Sequence, residues 1–295
     1  MTRVLVTGGA GVLGSHLVDR LLADGHQVVV ADDLSSGRLH YLQGARRDPE
    51  AKLNFQRVDV ISTALEVAVS KAQPEVVMHL ASRADPEAAD EPVRDAMVDV
   101  IGTVTLLEAC RLHDVRKVIF AGHLDDRTQP PATRFLAGKR AAEEYLRGSG
   151  SGGPAWTVLS LAEVYGARQD PALPRHLIAR LADWMLEGAP VTLAGGPGRA
   201  WDLLPVADAV DAFVLAMDAG DGQRIDIGTG HPTTQSEVVS ALAQITEWKG
   251  EPAWLAAAEP SAPRVAELAR AEALGWAPTT TLDQGLRSLV EWLRG

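Results

Sequence analysis

Residues 7–14 read Thr7-Gly8-Gly9-Ala10-Gly11-Val12-Leu13-Gly14, and this stretch decides the fold. It follows the apolar run Val4-Leu5-Val6 and opens the amphipathic segment Val12–Ala23. The glycines have separate tasks. Gly8 permits the tight turn, Gly11 lets the backbone approach a pyrophosphate, and Gly14 lets helix and strand pack closely. The N–H groups at the helix start then attract the anion. A glycine pattern alone is weak evidence for a dinucleotide site. Asp32 strengthens it. This acid stands just beyond the run Gln27–Ala31, eighteen residues after Gly14, where it can accept hydrogen bonds from an adenosine ribose. It favours NADH, because it would repel a 2′-phosphate; Arg38 close by offsets that repulsion and leaves NADPH open. Asp59, after a third run, reads equally well as an adenine contact or an ordinary strand-end acid.

Working outward, β-branched runs alternate with amphipathic segments. Strands are expected near Val4–Val6, Gln27–Ala31, Leu53–Val58, Glu75–Leu80, Lys117–Ala121 and Trp156–Leu161. Helices are expected near Val12–Ala23, Leu65–Lys71, Val93–Leu112 and Thr133–Arg147. The rhythm implies an α/β fold, a doubly wound parallel sheet of Rossmann type with helices on both faces. Gly148 to Pro154 reads as a surface turn. Beyond residue 161 the rhythm loosens, prolines and glycines cluster, and helices resume near Val206–Asp218, Ser236–Trp248 and Leu282–Leu293. We therefore expect a dinucleotide domain over 1–160, with 203–230 returning to it. A smaller C-terminal substrate-binding region is expected over 161–202 and 231–295.

The chain has 295 residues and a net charge of −11. Such an acidic surface disfavours nucleic acid. Cys110 is the one cysteine, which excludes an intramolecular disulfide and a multi-thiolate metal site, and its place in a helical pattern suggests a buried apolar role. No metal, signal peptide or membrane span is expected, so a cytoplasmic location is.

These residues resemble the extended short-chain dehydrogenase/reductases, the group of sugar-nucleotide epimerases and dehydratases. The resemblance covers nearly the whole chain. It includes Thr7–Gly14, Asp32 to Gly37, His79-Leu80-Ala81, Gly102-Thr103, Val164-Tyr165-Gly166, Ile227 to Gly230, and Leu274-Gly275-Trp276 with Pro278. It implies cofactor contacts from Gly8, Gly11, Val12, Leu13, Gly14, Asp32, Arg38, Asp59, Val60, Leu80, Ala81, Ser82 and Lys139, and substrate contacts from Arg83, Glu163 and Trp201. It also implies a homodimer paired through the long helices.

The resemblance breaks at the chemistry. The family uses a serine or threonine after the fifth strand and a Tyr-x-x-x-Lys in the next helix. Lys139 matches the lysine, but Phe135 stands where tyrosine belongs and His123 where serine does. From Arg116 to Glu144 there is no tyrosine and no serine. Phenylalanine cannot exchange a proton, so His123, which ordinarily titrates near neutrality, is the candidate acid. Asp125 and Asp126 read as a solvated loop pair. The family's usual asparagine before Val-x-Gly-Thr is Asp99. Glu163 replaces another asparagine and Trp201 an arginine, which disfavours a nucleotide sugar. Of the seven tryptophans, Trp201 and Trp254 are the least readily explained as core, and such rings stack on a flat ligand when exposed.

Two expectations follow. The first is an NAD(P)H-dependent ketoreductase acting on a bulky aromatic ketone, an angucyclinone-type polyketide, in antibiotic biosynthesis. The second is a nucleotide-sugar epimerase or dehydratase with an altered site, or a non-catalytic dinucleotide-binding regulator.

Overall fold

The computed structural model describes residues 1–83, 91–125, 127–150, 152–255 and 263–295. The strands are β1 (Arg3–Thr7), β2 (Gln27–Asp32), β3 (Leu53–Arg57), β4 (Val76–His79), β5 (Lys117–His123), β6 (Ala155–Leu161), β7 (Glu163–Tyr165), β8 (Thr192–Ala194), β9 (Ala200–Trp201), β10 (Leu203–Pro205), β11 (Gln223–Ile227), β12 (Thr233–Thr234) and β13 (Ala253–Leu255). The helices are α1 (Val12–Ala23), α2 (Gln43–Arg47), α3 (Ala64–Ala72), α4 (Pro92–Ala96), α5 (Gly102–Leu112), α6 (Arg134–Arg147), α7 (Leu177–Leu186), α8 (Val206–Leu215), α9 (Gln235–Thr246), α10 (Ala269–Ala273) and α11 (Leu282–Arg294).

The chain divides into two compact units. The first holds Met1–Ser160 and Val210–Ile225; the second holds Leu161–Ala209 and Asp226–Gly295. The returning segment is shorter than 203–230, because β10 pairs in parallel with β7 in the second unit.

A seven-stranded sheet in the order β11-β6-β5-β4-β1-β2-β3 organises the first unit, and the pairs β1–β2, β1–β4, β2–β3 and β4–β5 are parallel. This is the doubly wound Rossmann-type α/β fold. Its central strands are buried on both faces: Val4, Leu5 and Val6, then Val76, Val77 and Met78, then Val118, Ile119 and Phe120. Unbroken apolar runs suit that position. Leu106, Cys110, Ala142 and Leu146 pack from α5 and α6 onto the same core. Burial pushes the Cys110 thiol up to about 12, so it stays an inert apolar group.

The expected helix Val93–Leu112 is not uniform. A π turn, Met97–Ile101, separates α4 from α5. Helix α5 then begins on Gly102, where a Cβ would lie 2.6 Å from the Val60 side chain. A larger residue there would press on the Val60 side chain.

The second unit has its own core. Tyr165, Leu181, Met185, Leu203, Val238, Leu242, Leu286 and Leu289 pool apolar faces of α7, α9 and α11. Helices α9 and α11 each start with a reciprocal capping box, Thr234 with Glu237 and Thr281 with Gln284. Helix α7 and the short strand pairs go beyond the sequence reading, because prolines and glycines crowd their flanks. Trp184, Trp201, Trp248 and Trp254 all pack against this core. Trp201 and Trp254 are only partly buried there. Trp156 belongs to the first unit and packs on its sheet core. Among the described residues no helix is long and apolar enough to cross a membrane.

Candidate active site

The turn between β1 and α1 is built around glycine. Gly8 has φ +70, and a Cβ there would approach the Ala81 nitrogen to 2.8 Å. A Cβ on Gly14 would collide with the Gly8 carbonyl oxygen. Leu80 and Ala81, leaving β4, therefore abut the turn's backbone, and the Leu80 N–H donates to the Thr7 carbonyl at 3.1 Å. Gly11 caps α1 without a side chain, and no acid stands in the helix's first turn. Among the described residues, the first N–H groups of α1, from Val12 and Leu13 onward, thus have no capping side chain, a state that suits a phosphate.

Asp32 is buried, and its carboxylate accepts from the Ala10 N–H at 2.9 Å and the Leu34 N–H at 2.8 Å. Burial raises this carboxyl overall, and the two N–H donors offset only part of the rise. The Arg38 guanidinium donates to the carbonyls of Ser36 and Gly37 at 3.3 Å each. Asp59 is held by Arg94 at 2.6 Å and by the Ile61 N–H at 3.2 Å, and Val60 is buried under α5. Arg83 is clamped between Asp95 at 3.1 Å and Glu91 at 3.0 Å. Ser82 donates to Asp99 Oδ1 at 2.7 Å.

The corner between β5 and α6 brings together the three residues singled out for chemistry. His123 ends β5, and its ring stands edge-on to Phe135 with centroids 5.5 Å apart. Lys139, one turn further along α6, is buried rather than a surface lysine. Its Nζ donates to the Ala121 carbonyl at 3.0 Å and lies 4.9 Å from the Phe120 ring centre and 5.8 Å from that of Phe135. Burial pushes His123 down to about 4; Asp125 opposes this, while the charges of Lys139 and Arg224 add to it. The expected role is thereby corrected. At neutral pH His123 is an uncharged imidazole, which takes a proton rather than gives one.

Asp125 is also corrected. It is not solvated but buried, ion-paired with Arg127 at 2.9 Å, with Arg224 at 3.4 Å and with Arg140. Buried Glu143 joins the cluster, bound by Arg147 at 3.3 Å, Arg224 at 3.4 Å and Arg127. Arg224 also donates to the His123 carbonyl at 3.4 Å and to Ser160. This network ties the corner to β6 and β11, and four arginines scattered along the sequence gave no sign of it. Asp126 lies outside the described residues.

In the second unit Glu163 keeps solvent-accessible surface. The surrounding chain nevertheless raises its carboxyl by desolvation, while Arg199 pulls the other way. The Arg199 guanidinium lies 5.1 Å over the Trp201 ring. A cation therefore remains two residues before Trp201, which the sequence reading did not register. Asp202, beside it, is a loop clamp: it accepts from the N–H groups of Thr229, Gly230 and Ala266 at 2.7, 3.1 and 2.9 Å.

A glycine-turned Rossmann sheet with a lysine on α6 defines a dinucleotide-dependent enzyme class. The chain matches the model of the NAD-dependent epimerase/dehydratase family over residues 4–228, and it belongs to that family. It is 37% identical to the UDP-glucose 4-epimerase of Mycolicibacterium smegmatis, covering 99% of this chain and 98% of that one. Among solved structures, the UDP-glucose 4-epimerase of Thermotoga maritima with UDP-glucose superposes with a TM-score of 0.89 at 33% identity, over 99% and 98% of the two chains. The Thermus thermophilus UDP-glucose 4-epimerase with NAD gives 0.86 at 34% identity, over 99% of each. These likenesses overturn the expectation of a ketoreductase for an aromatic polyketide in antibiotic biosynthesis: the relatives are sugar-nucleotide epimerases along their whole length. NAD is the family's cofactor, and the turn fits it, with α1 uncapped and Asp32 at the end of β2.

Proposed function

We propose that the protein is a nucleotide-sugar epimerase or dehydratase with an altered active site, in which His123 replaces the missing phenol as the base. The neutral His123 imidazole, edge-on to Phe135 and beside buried Lys139, carries this reading. In it Gly8, Gly11, Val12, Leu13 and Gly14 hold the pyrophosphate, and Asp32 holds the adenosine ribose. Leu80, Ala81 and Ser82 line the floor, and Lys139 holds the nicotinamide ribose. NAD held by these residues would supply reversible hydride exchange with the sugar carbon. His123 takes the hydroxyl proton as the carbonyl forms and gives it back afterwards. Phe135 excludes water from the imidazole, which keeps it uncharged. Arg199 offsets Glu163 and offers the second unit a cation for the sugar diphosphate.

The test is incubation with NAD and a panel of UDP-sugars, followed by proton NMR of the anomeric signals. Interconversion of C4 epimers, or loss of water to a keto sugar, is expected. NAD binding with no conversion of any nucleotide sugar would sink the enzymatic reading and leave a non-catalytic dinucleotide-binding regulator.

We further propose a homodimer through α4, the π turn, α5 and α6, where Val93, Met97, Ile101, Leu112 and Tyr145 are exposed. Sedimentation of an Ile101→Asp variant checks it; a wild-type chain that sediments as a monomer overturns it.

A further inference from the structure

The Lys139 amine is buried, with the residue 7% exposed. One carbonyl, that of Ala121, and two aromatic rings are its near partners. A buried charge without an opposite charge tends to shed its proton. The family's phenol is absent here, so a counter-charge must come from elsewhere or Lys139 would be neutral.

Asp99 packs beside α6 at Gly138 and would supply it through space, since among the described residues no ion pair or hydrogen bond joins it directly to Lys139. It sits on the π turn between α4 and α5 and is 3% exposed. Oδ1 accepts from the Ser82 hydroxyl at 2.7 Å and the Arg83 N–H at 3.1 Å. Oδ2 is buried and has no hydrogen-bond partner among the described residues. Gly138, the residue before Lys139, makes room for the carboxylate against α6: a Cβ there would lie 3.0 Å from the Asp99 Cβ and 3.3 Å from Oδ2. The asparagine that the family resemblance implies at 99 would fill this space without a charge.

The backbone of the π turn is pinned by a directed chain. The Thr103 hydroxyl donates to the Asp99 carbonyl at 2.7 Å, so its oxygen accepts from His79 Nε2 at 3.0 Å. His79 Nδ1 is then left to accept from the Thr7 hydroxyl at 2.6 Å. One tautomer satisfies all three bonds, and the ends of β1 and β4 thereby fix Asp99.

We propose that Asp99 is the counter-charge that keeps Lys139 protonated, a positioning residue for the β5–α6 corner and not a group that touches substrate. The dependence is mutual. Burial raises the Asp99 carboxyl and Lys139 lowers it; burial lowers the Lys139 amine and Asp99 raises it. Among the described residues, the other charged groups around the pair are already engaged or neutral. Asp95 adds negative charge but is paired with Arg83 and Arg134, and Glu91 is paired with Arg83. His79 and His123 are pushed down to about 3 and about 4, so neither competes as a cation.

Folding equilibria measured from pH 5 to 9 test this on wild type, Asp99→Asn, Lys139→Met and the double variant. In Asp99→Asn, folding strips the proton from Lys139, a demand that eases as pH rises toward the free amine's range. The folding constant, relative to wild type, therefore recovers by tenfold or more from pH 6 to 9. In Lys139→Met, folding protonates Asp99, a demand that grows with pH, so the relative constant falls over the same range. The double variant runs parallel to wild type. Opposite slopes that cancel in the double variant support the pair; single variants whose profiles run parallel to wild type overturn it. If Asp99→Asn does not fold, recovery of folding in the double variant supports the pair. A double variant that stays unfolded while Lys139→Met folds overturns it.

Discussion

The β1–α1 turn and the β5–α6 corner both belong to the first unit, yet they are built on different physics. At the turn the working groups are backbone N–H donors, and side chains matter mainly by being absent. Gly8 and Gly14 leave room that any Cβ would fill. At the corner the working groups are side chains on a frame of buried charge: His123, Phe135 and Lys139, steadied by Asp125, Glu143 and their arginines. A turn made of backbone admits few substitutions. A corner made of side chains can exchange a phenol for an imidazole while strand and helix stay in place.

Four experiments probe that contrast. Gly14→Ala should have the largest effect, because the new methyl meets backbone that cannot move aside. A loss of about 3 kcal/mol or more, with NAD binding abolished, is expected by denaturant melts and fluorescence titration. Full NAD affinity in Gly14→Ala would mean the turn is more forgiving than its geometry allows. Next, Glu143→Gln breaks a buried multi-arginine pairing. It should cost about 2–4 kcal/mol by urea unfolding, part of the pairing being screened at the more exposed arginines. A neutral result would show that the corner's frame lies elsewhere.

His123→Asn should lower nucleotide-sugar conversion about 10²–10³-fold and leave the NAD dissociation constant within a few-fold. Equal losses in both would place His123 in binding and not in proton transfer. The wild-type rate should hold on the acid side until pH falls through about 4, where the imidazole gains its proton. The same depression lowers stability as pH falls from about 6.5 toward 4, since the unfolded chain binds that proton first. His123→Asn should remove this part of the slope, read from melting temperatures. The smallest effect is expected from Phe135→Tyr, a change in rate below about tenfold. A gain of a hundredfold would show that a phenol still outperforms the imidazole at this corner.

Much of the first unit was legible in the sequence. Helix α1 starts and ends where its glycines and apolar period place it, and the two-sided burial of β1, β4 and β5 follows from their unbroken apolar runs. The loss of the phenol at Phe135 needed no structure. Asp125 misled, because an acid in a loop beside a second acid resembles solvated charge until the arginines that neutralise Asp125 are located. Those arginines stand at 127, 140 and 224, too dispersed for any local pattern.

The sequence by itself determined the Rossmann-type sheet, the dinucleotide turn and the missing acid, because each rests on local rules: strand period, glycine backbone freedom and the chemistry of one ring. Only the tertiary structure decided the ionisation of the corner. Whether His123 is charged, whether Asp125 is solvated and whether Lys139 has a counter-ion all depend on burial and on partners brought in from distant strands. Desolvation and Coulomb energy are set by three-dimensional distance, which residue order does not encode.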